Sequence, residues 1–476
     1  MTAPSQPETS ASARAQLRSV FTGELVEPTD GSYEDVRRSL LFNGMHDRRP
    51  ALIARCADRH DVQAALAYAR SRQLVVAVRG GGHSTPGYSS CDGGIVIDTS
   101  PMKAIDIDVD GRLGRFGAGL TWAELDAATQ QHGLAVTGGR VSHTGVAGLT
   151  LGSGSGWLER KFGMTCASLV GAEVVTADGR VVQAGADGDA DLLWGLKGGA
   201  GNFGIVTEFR FRLHAVGPLV FAGMVLHPRS AAGGLMRALR DFMADAPDEV
   251  GAGLALITAP PADFVPEEAR GKPACGLVVV YAGEPTEGHE VLRPLVEWGR
   301  PWLDAVQPMP YVAVQQLLDG GYPWGIRDYG KVDYLPTLPD EAIDEMVGQA
   351  ARSRSPFSAV ILCPLGGAVA RMDRDAMALE IPDAKWMYFC EANAWDAADQ
   401  AREIEWAKAF MAAMRPWSVD KALPNFLEPD EGTSRLRMSF GEEKFGRLVA
   451  LKDRYDPDNV FALNTNIAPS RYARRG

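Results

Sequence analysis

A chain of 476 residues has room for two or three domains and a large core, and 46% hydrophobic with 23% charged residues is the balance of an ordinary soluble globular protein. No apolar run approaches a membrane span, and the formal net charge of −12 disfavours nucleic acid and anionic membranes as partners, leaving small molecules. The six cysteines, Cys56, Cys91, Cys166, Cys275, Cys363 and Cys390, are scattered without a Cys-x-x-Cys pair, which argues against a zinc site or a disulfide framework and fits a reducing cytoplasm.

Residues 1–14, rich in Ser, Thr, Ala and Pro, lack a basic start and an apolar core, so they read as a disordered tail rather than a signal peptide. Helical apolar spacing over 58–72, behind an Asp58 cap, feeds a strand at 74–79. Strands follow at 94–98 and 104–109, and an Asp110-Gly111 turn leads into 112–117. Thr121 opens a helix over 122–132 that stops at Gly133. Residues 138–156 are too glycine-rich for a helix, 169–183 reads as a hairpin about Asp178-Gly179, and 205–213 alternates as a closing strand. Helices interspersed with hairpins make this an α+β domain over 15–213.

From 214 to 420 the spacing predicts strands at 219–226, 254–258, 276–282, 358–365 and 386–395, with amphipathic stretches at 230–245, 286–299, 340–353 and 397–414 between them. That pattern is a second domain, an antiparallel sheet covered by helices. Residues 421–476 hold a helix at 444–454 and the turn cluster Tyr455-Asp456-Pro457-Asp458-Asn459, with too little apolar content to fold alone, so they are expected to return to the first domain.

Three Gly-rich segments stand out, at 79–87, 138–156 and 198–204. In Arg79-Gly80-Gly81-Gly82-His83-Ser84 a strand ends on a stripped backbone whose N–H groups suit a phosphate, and His83 is either a hydrogen-bonding loop histidine or a covalent tether. Gly199-Ala200-Gly201-Asn202-Phe203-Gly204 has the spacing of a dinucleotide fingerprint but follows a helix and precedes a strand, the reverse of what that motif needs. It reads as a tight packing turn bordering a cofactor.

With Gly117-Ala118-Gly119-Leu120-Thr121-Trp122, Gly145-Val146-Ala147-Gly148-Leu149-Thr150-Leu151-Gly152 and Asp456-Pro457-Asp458-Asn459-Val460-Phe461-Ala462-Leu463-Asn464-Thr465-Asn466, these segments make the chain resemble the berberine bridge enzyme-like FAD-linked oxidases over nearly its whole length. That group lies within the vanillyl-alcohol oxidase, or PCMH-type, flavoprotein superfamily. The resemblance implies an FAD-binding domain built from the N-terminal and return segments around an inserted substrate domain.

It also implies a covalent FAD on His83. The cysteine that supplies a second link in many members is replaced by Val141, so a single link is expected. Gly80, Gly81, Gly82 and Ser84 would cradle the pyrophosphate, and Gly145, Gly148, Gly152 and Gly154 would wrap the nucleotide side. His143 is either a contact to the flavin or a phosphate or a structural loop histidine, Asn464 and Asn466 would approach the flavin, and Arg79, Gly87, Val141, Ser142, Thr144, Leu149, Gly204 and Val206 complete the expected cofactor-binding set. The family tyrosine before an Asn-aromatic pair is missing here, where Leu423-Pro424-Asn425-Phe426 stands, and Leu379-Glu380-Ile381-Pro382-Asp383 replaces the family's aromatic-His-Arg stretch.

Strand alternation over 386–395 puts Tyr388 and Cys390 on one face and Glu391 and Asn393 on the other. Alignment to the family strand places Tyr388 and Cys390 in the pocket, with Tyr334 as a further catalytic candidate and Glu391 held on the list. The activity so implied is an oxidase that takes a hydride from a hydroxyl- or amine-bearing small organic molecule, such as a secondary metabolite, and reduces O2 to H2O2. A flavin oxygenase or multi-step tailoring enzyme, and a degenerate FAD- or ligand-binding protein, are the alternatives.

Overall fold

The computed structural model describes residues 10–472, so residues 1–9 of the expected tail lie outside the described residues. The helix Ser10–Val20 starts inside that stretch: Ala13 and Leu17 are buried against the core beside Leu66 and Ala69, an apolar face that overrides the polar composition.

Up to residue 215 the chain builds two principal sheets, joined by a short Leu134–Ala135 and His214–Ala215 pair. In the first, Leu52–Arg55 and Val76–Arg79 flank Ile95–Asp98 in parallel, and Glu24–Val26 adds an antiparallel edge. The helix Arg59–Ser71 packs on it, capped by Asp58, whose carboxylate accepts from His60 N at 2.8 Å and Asp61 N at 3.1 Å. The second sheet is antiparallel, in the order Ile105–Asp108, Leu113–Gly117, Ile205–Arg212, Leu169–Val175, Val181–Gly185.

A glycine-rich stretch expected to be irregular contains the helix Val146–Gly152. Its glycines allow close approach: a Cβ on Gly152 would stand 2.3 Å from Asn425 Nδ2, while one on Gly148 would meet nothing within 4 Å.

Beyond residue 215 an eight-stranded antiparallel sheet dominates, in the order Leu303–Asp304, Leu219–Pro228, Pro273–Tyr281, Val250–Thr258, Ala359–Pro364, Trp386–Ala394, Arg327–Leu335, with Gln307–Pro310 paired beside Leu219–Pro228. One face is covered by the helices Ala232–Met243, Pro285–Val296, Asp340–Ala350 and Ala397–Met414, which bury Leu239, Leu292, Met346 and Phe410 against it. The opposite face looks toward the glycine loops.

The last described segment runs back onto the first sheets. Asn202 Nδ2 donates to Thr465 O at 3.1 Å and its Oδ1 accepts from Ile467 N at 2.9 Å, so the 198–204 turn is stitched to the segment carrying Asn464 and Asn466. No described helix is long and apolar enough to cross a membrane, and all six cysteines are buried and unpaired.

Candidate functional site

Between the glycine loops and the open face of the large sheet lies one cavity of about 1060 Å³, near the top of the roughly 300–1,000 Å³ span of small-molecule sites. Its loop side is lined by Gly80, Gly81, Gly82, His83, Ser84, Val141, Thr144, Gly145, Gly148, Leu149, Gly152, Gly154, Gly204, Val206 and Asn464. Arg79, Gly87, Ser142, His143 and Asn466 stand behind this lining. The Arg79 guanidinium pairs with Asp98 at 3.2 Å, Gly87 packs on the His46 ring, and Ser142 Oγ donates to Asp319 at 2.6 Å.

The loops themselves touch. A Cβ on Gly81 would fall 2.3 Å from Gly145 N, and one on Gly145 would fall 2.4 Å from Gly81 N, so only two glycines let these backbones meet. His83 is wedged above that contact. Phe42 stacks on it at 4.4 Å and 14°, Trp324 meets it edge-on at 5.7 Å, and its Nε2 lies 2.7 Å from His143 Nδ1. Burial, reinforced by His143 and Arg79, pushes His83 down to about 3, so the ring is neutral at physiological pH.

The sheet side is mostly apolar, with Ile257, Val278, Ile361 and Phe389, and then turns acidic. Antiparallel pairing sets Asp328 opposite Asn393 and Gly330 opposite Glu391, so Asp328, Asn393 and Glu391 share the cavity face. Tyr322 Oη donates to Glu391 Oε2 at 2.6 Å. The Asn393 amide, turned with its nitrogen toward Asp328, donates to Asp328 Oδ1 at 2.8 Å. Burial raises the Glu391 carboxyl to about 7 against the lowering effect of Tyr322, and raises Asp328 strongly.

The expected pocket face of this strand is therefore corrected. Tyr388 and Cys390 point away from the cavity into the helix-covered core, where Tyr388 Oη is 2.8 Å from Ser418 Oγ and packs near Phe410. Family alignment set the strand one residue out of phase, and in a strand that reverses every side chain. Tyr334 shares the cavity face but lies beyond the cavity, 1% exposed beside Met387. Sequence reasoning missed Phe42, Trp324, Tyr322 and Asp328. The run Gly320-Gly321-Tyr322-Pro323-Trp324 carried the only signal, aromatics in a turn-forming segment.

FAD fits the loop side on the evidence of the loops themselves. The glycine contact keeps a backbone surface that any Cβ would fill, and the Oδ1 atoms of Asn464 and Asn466 are buried acceptors without a hydrogen-bond partner. Asn425 closes the end of the helix Val146–Gly152, its Nδ2 donating to Gly148 O at 2.9 Å and its Oδ1 accepting from Ser153 Oγ at 2.7 Å.

Comparison with known proteins agrees with this geometry. Residues 50–185 match the model of an FAD binding domain, and residues 424–468 match the berberine and berberine-like model. The chain is 29% identical to (R)-6-hydroxynicotine oxidase of Paenarthrobacter nicotinovorans over 94% of its length and 97% of the relative's. It is 27% identical to an FAD-linked oxidoreductase of Dictyostelium discoideum, covering 88% of this chain and 89% of the other. The crystal structure of 6-hydroxy-D-nicotine oxidase from Arthrobacter nicotinovorans superposes with a TM-score of 0.84 at 26% identity, covering 94% of this chain and 98% of that one. With the FAD binding domain model and the berberine-like model both matched and whole-length relatives of the same kind, the chain belongs to the berberine bridge enzyme-like FAD-linked oxidoreductases.

Proposed function

We propose that the protein is an oxidase that removes a hydride from a hydroxyl- or amine-bearing organic molecule and reduces O2 to H2O2, with FAD held covalently by His83 as its single link. The observation that carries this reading is the shared cavity, in which the glycine loops and the Tyr322–Glu391 pair face one space. In this reading residues 15–213 and 421–476 form the cofactor side and residues 214–420 the substrate side.

FAD, when bound, supplies the two-electron acceptor and the route to O2. The chain supplies the rest. Glu391, ionised, takes the proton from the substrate hydroxyl or ammonium, since removing a hydride from such a group also requires its proton to leave. Tyr322 holds Glu391 Oε2, leaving Oε1 for the substrate. Asp328, whose charged form burial disfavours, and Asn393 keep a second polar pair beside it. Ile257, Ile361 and Phe389 exclude water around the reacting group. Exposed Phe264, Phe357 and Trp395 rim the mouth, which suits an apolar or aromatic substrate longer than the reacting centre. Val141 lines the cavity, and its side chain offers no nucleophile for a second link.

The test is anaerobic bleaching of the flavin by a panel of alcohols and amines, followed by peroxide measured per substrate consumed in air. One peroxide per two-electron oxidation is expected. Oxygen incorporated into product in place of peroxide would turn the reading to an oxygenase, and no bleaching by any substrate would turn it to a binding protein.

A further inference from the structure

A hydrogen bond between His83 and His143 engages one nitrogen of each ring. His143 Nδ1 lies 2.7 Å from His83 Nε2, so one of the two carries the shared hydrogen. A neutral His143 whose proton sits on Nε2 offers its Nδ1 lone pair to that contact. Burial lowers both imidazoles, which keeps each ring neutral with a single N–H. His143 Nδ1 is then the acceptor and His83 Nε2 the donor, and His83 Nδ1 keeps its lone pair.

The ring is also held against rotation. Phe42 lies on its face at 14° and Trp324 stands against it at 79°, so exchanging the two nitrogens would displace both aromatics. The contact therefore holds His83 Nε2 against His143 and leaves Nδ1 as the nitrogen outside it, beside the glycine cradle.

We infer that His143 is a positioning residue for cofactor attachment: it holds His83 in the tautomer whose Nδ1 is the nucleophile, and it takes the Nε2 proton as the bond forms. The inference rests on the covalent role of His83 proposed above. In the step, His83 Nδ1 bonds to the 8-methyl carbon of the flavin and one C–H bond of that methyl breaks. Two electrons pass into the flavin ring and then to dioxygen. The methyl proton and the Nε2 proton, the latter by way of His143, leave with them as hydrogen peroxide. Without an acceptor at Nε2 the alkylated imidazole would be left as a buried cation.

Full-length wild type, His143→Leu and His143→Asn are purified, incubated aerobically with excess FAD, sampled over time into trichloroacetic acid, and the flavin in the pellet measured. Asn places an amide oxygen near the position of the imidazole Nδ1, so it keeps the hydrogen bond from His83. Covalent incorporation in His143→Leu is expected to slow by at least about a hundredfold, the low side of what proton-transfer partners contribute, while reversible FAD binding persists. His143→Asn is expected to recover most of that loss. Equal rates in wild type and His143→Leu overturn the inference, as does His143→Asn being as slow as His143→Leu.

Should His143→Leu bind no FAD, the linkage isomer in wild type decides. Proteolysis should release a histidyl-flavin joined through Nδ1, and a link through Nε2 overturns the inference without any variant. Flavin washed out of acid-treated wild type would instead remove the covalent reading itself.

Discussion

Tyr322 donates to Glu391 Oε2 at 2.6 Å, joining the turn after Asp319–Gly321 to the strand Trp386–Ala394 at the cavity wall. Two residues on, Trp324 stands 5.7 Å from the His83 ring and 6.2 Å from that of His143, so one short turn touches both the carboxylate and the histidine pair. The carboxyl of Glu391 is raised to about 7 by burial, and the phenol partly opposes that rise. Its base form is therefore present above about pH 7 and is lost as pH falls through that value. On the substrate found by the panel, kcat/KM should fall about tenfold per pH unit below this point. Glu391→Gln should lower kcat/KM by about 10²–10⁴ and remove the acid limb. Tyr322→Phe, which deletes a bond favouring the carboxylate, should move the limb to higher pH. An unaltered limb in Glu391→Gln would assign the base elsewhere.

His83→Ala should bind FAD only reversibly. Acid precipitation of wild type should leave a yellow pellet, and the variant's pellet should be colourless with the flavin in the supernatant. Because a covalent link holds the cofactor through unfolding and a reversible one does not, the two proteins should also differ in flavin retained after gel filtration in urea. Equal retention would show that His83 is only a loop histidine packed on Phe42.

The cofactor side was legible because backbone geometry writes itself into residue type: touching chains at Gly81 and Gly145 require glycine, and so the sequence carries the contact. The substrate side was not legible to the same degree. Trp386–Ala394 is buried on both faces, so alternation showed which residues share a face but not which face meets the cavity, and the pairing with Arg327–Leu335 shows that Glu391 and Asn393 face inward. Tyr322 sits in an irregular turn with no periodic pattern, and its partner Glu391 is 69 positions away in sequence. The helix Val146–Gly152 was hidden by its own glycines, which serve close approach to Asn425 and open space at the cavity rather than helix propensity.

Gly81 and Gly148 should separate two effects of a methyl group. Gly81→Ala forces the Gly145 backbone aside and should cost about 1–3 kcal/mol of stability together with FAD binding. Gly148→Ala meets no atom of the protein and lies in a helix, where alanine is favoured by about 1 kcal/mol, so apoprotein stability should hold or rise. Its methyl can enter the cavity that Gly148 lines, so FAD affinity should fall even so. Thermal melts with and without added FAD test both variants. A Gly148→Ala protein with unchanged affinity would place the cofactor away from that helix.

Phe357 and Trp395 meet edge-on at 6.3 Å at the cavity mouth, 43% and 51% exposed. Both are exposed on the rim and neither hydrogen-bonds Glu391, so their contribution should be to binding alone. Trp395→Ala is expected to raise KM by about tenfold for the best aromatic substrate with little change in kcat, the signature of lost uniform binding. A fall in kcat at constant KM would mean that the rim moves with the chemistry.

Lys452 and Asp456 form an ion pair with both side chains fully buried, and the pair ties the return segment to the cofactor loops. Lys452 Nζ donates to Asp456 Oδ2 at 2.7 Å, to Asn202 O at 3.0 Å and to Phe461 O at 2.9 Å, while Asp456 also accepts from Val460 N and Phe461 N. One cation thus holds the helix Glu442–Tyr455, the 198–204 turn and the approach to Asn464 together. Lys452→Met would leave a buried carboxylate without its counterion, which should cost about 3–5 kcal/mol. Asp456→Asn alone strands the ammonium, and the double variant should recover part of the loss, because the penalty lies in the unpaired charge more than in the missing attraction. Urea midpoints of the four proteins give the coupling. Additive losses would mean that the two side chains act independently, and a wild-type midpoint in Lys452→Met would mean that the return segment is held by Asn202 and the apolar contacts of Phe461 alone.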